Sequence, residues 1–175
     1  MNEIIVSMRN IQKRFAGVHA LDDAQLTLRK GEVLGLIGEN GAGKSTLMKI
    51  LSGIYRQDSG EVEVDGRAVN YSCPKDALDD GICMIHQELN LVPKLSVADN
   101  IFIGRESKKG PFLNRAEDCR RARELLSRLE LDIDPQTTVN RLTVAKQQMV
   151  EIAKAVSHEA RVIIFDEPTS SLSDK

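Results

Sequence analysis

Between Val33 and Met48 the chain runs Val33-Leu34-Gly35-Leu36-Ile37-Gly38-Glu39-Asn40-Gly41-Ala42-Gly43-Lys44-Ser45-Thr46-Leu47-Met48, an order that few folds accept. The first five residues carry no polar side chain, which predicts a strand buried on both faces over 33–38. From Gly38 to Ser45 the pattern becomes G-x-x-x-x-G-K-S. Beyond it Leu47, Ile50 and Leu51 recur at helical spacing, so a helix is expected over Lys44–Ser52 with Gly53 as its left-handed stop. Strand, glycine-rich turn and helix in this order describe a phosphate site. The glycines allow the backbone to curl its N–H groups around an anion, and the helix adds its positive end. Lys44 can reach the outer phosphates of such a ligand, and Ser45 can offer its hydroxyl to Mg²⁺.

Length and charge narrow the classes around this loop. A chain of 175 residues holds one domain with a sizeable core. Its net charge is -2, aromatics are 3% and tryptophan is absent, so neither a basic footprint nor a base-stacking surface points to nucleic acid. No apolar run approaches a membrane span, and Met1-Asn2-Glu3 does not begin a signal peptide, so a soluble, unexported protein is expected. Cys73, Cys83 and Cys119 are odd in number and lack metal-type spacing, which reads as reduced thiols.

The flanking sequence supplies two kinds of structure. Ile4, Val6 and Met8 alternate with polar neighbours, as do Leu26 and Leu28, and Glu61–Val64 is a third strand turning at Asp65-Gly66 into Arg67–Val69. Phe15 lies on the polar, glycine-bearing connection between the first two strands, where the residues leave its reading open between a satellite core side chain and a ligand contact. Pro74 to Asp80 reads as a short helix opened near Ser72, and Ile82 to Ile85 as a buried strand with His86-Gln87-Glu88 at its carboxyl end, where open α/β sheets place ligands. Ser96 and Asp99 have capping-box spacing. A loop is expected over Ser107–Pro111. Asn114 opens an amphipathic helix bearing Ala122, Leu125, Leu126 and Leu129, and after a polar connection over 132–140 Thr143 opens another bearing Met149, Ile152, Ala153 and Val156. Arg161-Val162-Ile163-Ile164-Phe165-Asp166-Glu167 then reads as a central strand ending in two acids. Adjacent strand residues point to opposite sides. Asp166 can therefore hold Mg²⁺ beside Ser45, while Glu167 orients or deprotonates a water.

Over about Ile4 to Asp174 the sequence resembles an ATP-binding-cassette (ABC) ATPase, and within that family the carbohydrate-importer subunits of the ribose and galactose type. The stretch from Leu36 to Met48 is similar to their Walker A almost letter for letter. The resemblance implies that Gly38, Glu39, Asn40, Gly41, Ala42, Gly43, Lys44, Ser45 and Thr46 bind nucleotide, and that Phe15 stacks on adenine. It makes Gln87 the Q-loop glutamine, which senses the γ-phosphate and Mg²⁺ and faces the membrane subunit. Leu95 to Gly104 is similar to the entry of the sugar importers' helical subdomain. Val162 to Glu167 resembles Walker B, so that Lys44, Gln87 and Glu167 form the catalytic set and Ser45, Gln87 and Asp166 the metal set.

Departures stand out in two motifs and after Walker B. The family's Leu-Ser-Gly-Gly-Gln signature, which acts on a partner domain's nucleotide, is here Leu142-Thr143-Val144-Ala145-Lys146 followed by Gln147. A similar degenerate signature occurs in sugar-importer ATPases. In the D-loop, Ser171-Leu172-Ser173-Asp174 has Ser173 where aspartate is usual. The family also continues into a switch histidine, whereas His19, His86 and His158 all precede Walker B. The resemblance thus implies the first part of a first cassette.

The fold so implied is α/β: a P-loop NTPase with an ABC-type ATPase core, an antiparallel β subdomain and a helical subdomain at about 97–155, truncated at the C-terminus, with 1–175 forming one incomplete ATP-binding domain. Its cofactors are ATP and Mg²⁺. Its partners are a second ATP-binding cassette, transmembrane permease subunits and, indirectly, a periplasmic or extracellular sugar-binding protein, with no nucleic acid. Its place is the cytoplasmic face of the cell membrane. The implied function is to hydrolyse ATP and so energise sugar import; the alternative is a nucleotide-binding fragment without turnover, and a cassette acting on nucleic acid is disfavoured by the charge balance.

Overall fold

A computed structural model describes residues 3–86 and 88–166. The chain divides into two compact units, Met1–Ile82 and Cys83–Lys175.

The first unit is built on an antiparallel sheet of β1 (Ile4–Phe15), β2 (Val18–Arg29), β3 (Ser59–Val64) and β4 (Arg67–Val69), in the order β2-β1-β3-β4. Central β1 sets the register. Val6 faces Leu28 on one side and Val64 on the other, and Met8 faces Leu26 and Val62. Val6, Met8, Val62 and Val64 are all buried, as period-two alternation requires of a sheet with one dry face. Phe15 is not on a connection, as its polar surroundings suggested, but forms the last rung of β1 opposite Val18. The turn between them is Ala16 and Gly17, both at positive φ, the geometry of a two-residue hairpin that preserves strand twist. Helix α1 (Lys44–Leu51) buries Leu47, Ile50 and Leu51 and packs on β2. Helix α2 (Pro74–Asp79) is capped at Cys73 rather than Ser72, and the Asp76 carboxylate accepts from the N–H groups of both.

One expected element of the core sheet does not form. The apolar run over 33–38 lies in no strand, and Val33 and Ile37 are 99% and 100% exposed. A strand exists through its partner's hydrogen bonds, and among the described residues none is paired to this run. Apolar composition supplied the tendency to be buried without supplying what would bury it.

In the second unit, β5 (Ile82–Ile85) pairs with β8 (Val162–Phe165). The expected loop at 107–111 is instead a hairpin, in which Lys108–Lys109 (β6) pair with Phe112–Leu113 (β7) around Gly110 and Pro111. Helices α3 (Val97–Phe102), α4 (Arg115–Arg128) and α5 (Val144–Ser157) enclose a core of Val97, Ala98, Ile101, Phe102, Ala122, Leu126, Val139, Val150 and Ala153. Each of the three is capped by its own side chain: Ser96, Asn114 and Thr143 accept from the N–H of Asp99, Glu117 and Lys146. Buried Asn100 ties the segment before α3 to the core; its amide donates to the carbonyls of Val92 (3.1 Å) and Ser96 (2.9 Å) and accepts from the Val92 N–H at 2.7 Å.

Candidate nucleotide site

The phosphate loop leaves the exposed run over 33–38 and closes on itself before α1. The Ala42 N–H donates to the Glu39 carbonyl at 3.1 Å, and the Lys44 ammonium folds back to donate to the carbonyls of Gly38 (2.8 Å) and Glu39 (2.9 Å). Those two bonds hold the charged end over the loop rather than out in solvent. Gly43 occupies the N-cap of α1 at φ 83, and a Cβ there would lie 2.5 Å from the Ala20 carbonyl oxygen and 2.6 Å from Leu21 Cδ2. The loop therefore rests directly on the backbone of β2, and glycine is demanded twice, by conformation and by space. Having no side chain, Gly43 also gives α1 no side-chain cap. Helices α3, α4 and α5 each have one side-chain cap bond at the amino end, whereas α1 has none. Backbone donors with a positive dipole behind them and a lysine above them suit an anion of several oxygens. Glu39, Asn40, Gly41 and Ala42 are exposed around this cradle, and Ser45 and Thr46 are half-buried in the first turn.

The same unit carries the aromatic candidate. Phe15 is 38% exposed, and its ring meets Tyr55 edge-on, with centroids 5.1 Å apart and planes at 64°. Lys13 Nζ stands 5.4 Å from the Phe15 centroid and donates to Asp58 at 2.7 Å, while the Arg14 N–H donates to the other Asp58 oxygen at 2.8 Å. The Lys13 hydrogen bond first, and that backbone bond second, hold the Asp58 carboxyl below the usual carboxylate range. Sequence reasoning missed both Tyr55 and Asp58. Each lies some forty residues from the strand end it touches, and nothing in the local pattern around Gly53 announces a tertiary contact.

Asp166 follows β8, and its N–H donates to the Ile85 carbonyl at 3.1 Å, which carries the β5–β8 pairing one residue beyond the strand. Its carboxylate is thus placed by the sheet, next in register to the segment leading to His86. Gln87 and Glu167 lie outside the described residues, as does the D-loop over 171–174. Burial, and then the Glu151 carboxylate, push the thiol of Cys83 on β5 up.

The signature residues surround the start of α5. Thr143 is its N-cap, Val144, Ala145 and Lys146 are exposed, and Lys146 Nζ donates to the Asp132 carbonyl at 3.2 Å. The Gln147 amide donates to the carbonyls of Leu142 (3.0 Å) and Val139 (3.3 Å), binding α5 to the 3-10 turn over Val139–Arg141. The structure thus gathers Phe15 and the phosphate loop in the first unit, and Asp166 and the signature in the second.

The family model described as ABC transporter matches residues 21–170. The galactose/methyl galactoside import ATP-binding protein MglA 1 of Photobacterium profundum is 52% identical over all of this chain and 36% of its own length. A putative ribose/galactose/methyl galactoside import ATP-binding protein of Burkholderia lata is 56% identical over 97% of the chain and 34% of its own length. The chain therefore spans about a third of the relatives it matches. Among solved structures, the ADP conformation of MJ1267, an ATP-binding cassette of an ABC transporter, superposes with a TM-score of 0.83 at 28% identity, covering 95% of this chain and 70% of that one. The dimeric bacterial ABC transporter cassette MJ0796 gives 0.77 at 26% identity, covering 97% and 76%. The fold is the α/β, P-loop NTPase fold of these cassettes, and the chain belongs to the ABC transporter family.

Proposed function

We propose that the chain is the nucleotide-binding part of a subunit that hydrolyses ATP to drive sugar import through an ABC transporter. The observation that carries this reading is the phosphate loop: a glycine N-cap pressed on β2, a helix without a side-chain cap, and Lys44 held over the loop by the Gly38 and Glu39 carbonyls. A triphosphate offers Lys44 better acceptors than two carbonyls, because hydrogen bonds to charged groups are the stronger kind. Phe15, at the end of β1, provides a face for the base.

Ser45, Gln87 and Asp166 fit Mg²⁺ in chemistry. All three offer hard oxygen donors, and no group of three or more acids, histidines or cysteines forms a metal cage among the described residues. Mg²⁺ is characteristically held by one or two protein oxygens together with substrate phosphates, and when bound it neutralises charge on them. Glu167 orients the attacking water in this reading, and Gln87 lines the γ-phosphate. Leu142 to Gln147 present the signature to a second cassette, from the helical subdomain at about 97–155. Identity to galactose and ribose import proteins supports a sugar as cargo, permease subunits as partners and the cytoplasmic face of the membrane as the place of work.

A chimera tests the whole proposal. The chain replaces the corresponding first third of the Photobacterium galactose importer's ATP-binding protein, in cells lacking their own. ATP-driven galactose uptake, abolished by Lys44→Ala or Glu167→Gln in the chimera, is the expected result. A chimera present at normal levels that supports no uptake overturns it.

A further inference from the structure

Phe15 and Tyr55 reach one another from opposite ends of the first unit's architecture, Phe15 from the last rung of β1 and Tyr55 from the connection that follows α1. Tyr55 is fixed to that helix. Its N–H and that of Ile54 both donate to the Lys49 carbonyl, at 3.0 and 2.8 Å, and Lys49 Nζ stands 5.7 Å from the centre of its ring. The same connection contains Asp58, whose carboxylate grips Lys13 and the Arg14 N–H immediately before Phe15. One short segment thus clamps the end of β1 from two directions, by an ion pair and by a ring. The helix bearing that segment is the one whose amino end forms the phosphate loop. An edge-to-face contact fixes the plane of a ring as well as its place, and with 38% of Phe15 still exposed it leaves ring surface for a planar ligand.

We propose that Tyr55 is a positioning residue for the nucleotide base. Its ring sets the plane of Phe15 and joins it to α1, so that base platform and phosphate loop stand at a fixed separation. The proposal rests on the reading that Phe15 stacks on the base. Tyr55 acts through that ring and not on the ligand, so its hydroxyl is dispensable and its effect is confined to ligands that have a base.

A double-mutant cycle tests it on the 175-residue chain, with Mg-ATP and tripolyphosphate affinities read by calorimetry and folding checked by circular dichroism. Tyr55→Leu should weaken ATP binding about two- to tenfold, the range that aromatic pair energies convert to. It should leave tripolyphosphate unchanged, be rescued by Tyr55→Phe, and add nothing in the Phe15→Ala background. Unchanged ATP affinity in Tyr55→Leu, beside a loss in Phe15→Ala, overturns the positioning role while sparing the stacking reading. Equal losses in both backgrounds overturn it by making Tyr55 a direct contact, and a parallel loss for tripolyphosphate does so by making it a support for α1. If Phe15→Ala itself costs nothing, the stacking reading fails and the proposal falls with it.

Discussion

Gly43→Ala is the substitution whose cost follows most directly from the geometry. Alanine at φ 83 adopts the left-handed conformation, at about 1–2 kcal/mol. Its methyl group would also lie 2.5 Å from the Ala20 carbonyl oxygen and 2.6 Å from Leu21 Cδ2, so the loop must lift from β2. Overpacking of this kind costs typically about 1–3 kcal/mol, for a total of roughly 2–5 kcal/mol. Gly41 is the matched control: its φ is 87, but a Cβ there meets nothing within 4 Å, so Gly41→Ala should cost only the conformational part. The readout is at hand, because the chain has no tryptophan and two tyrosines, Tyr55 and Tyr71, both in the first unit. Urea unfolding followed by tyrosine fluorescence therefore reports on the unit that holds the loop. Gly43→Ala should unfold at clearly lower urea than Gly41→Ala. Equal midpoints would mean that the loop does not rest on β2 and that the cradle is not fixed to the sheet.

Three further outcomes are expected. Phe15→Ala should weaken Mg-ATP binding by about 1–3 kcal/mol, the range of base stacking on aromatic side chains, and leave tripolyphosphate binding unchanged in calorimetry. Asn100→Ala removes the acceptor of the Val92 N–H, while the Val92 and Ser96 carbonyls keep the N–H groups of Leu95 and of residue 100 itself; a loss of roughly 0.5–1.5 kcal/mol in helical stability, read by circular dichroism on heating, is expected for a part-buried hydrogen bond. Asp58 has a folded-state pKa below its ordinary value of 3.8, so its support of the β1 end is complete above pH 3.8 and is lost as pH falls through the lower folded value. An acid titration of tyrosine fluorescence should show a step below pH 3.8 that Asp58→Asn lacks; identical curves would remove Asp58 from the clamp.

What could be read from the sequence was what local chemistry decides. Alternation placed Val6 and Met8 on the dry face of β1, though Ile4 is exposed and Ser7 is buried, and Ser96, Asn114 and Thr143 announced helix starts because a cap bonds only two or three residues ahead. Gly53 stops α1 at φ 72, as its position implied. Misreadings arose where local composition does not decide what a segment pairs with or packs against. Val33 to Gly38 has the composition of a central strand and no neighbour to pair with among the described residues. Lys108 to Leu113 has little strand pattern, yet two short rungs suffice for a hairpin around Gly110-Pro111. Val150 is wholly buried on α5 although the predicted stripe ran through Met149 and Ile152, because the faces of α3 and α4, not periodicity alone, decide which side is dry. At the candidate site the glycine-rich turn and the helix after it were legible, since glycines, lysine and helix are contiguous, whereas the strand expected before them does not form. The bracing of Phe15 by Tyr55 and Asp58 was not, because ring packing and a carboxylate clamp leave no periodic trace.

The loop from Gly38 to Ser45 is expected to hold a triphosphate through Lys44, and calorimetric titration of Mg-ATP into the chain and into Lys44→Ala decides whether it does. Lys44 exchanges its bonds to the Gly38 and Glu39 carbonyls for bonds to phosphate. Its loss should cost about 1.5–3 kcal/mol, or roughly a tenfold to hundredfold weaker affinity. Equal affinities in the two proteins would contradict the assignment of the loop.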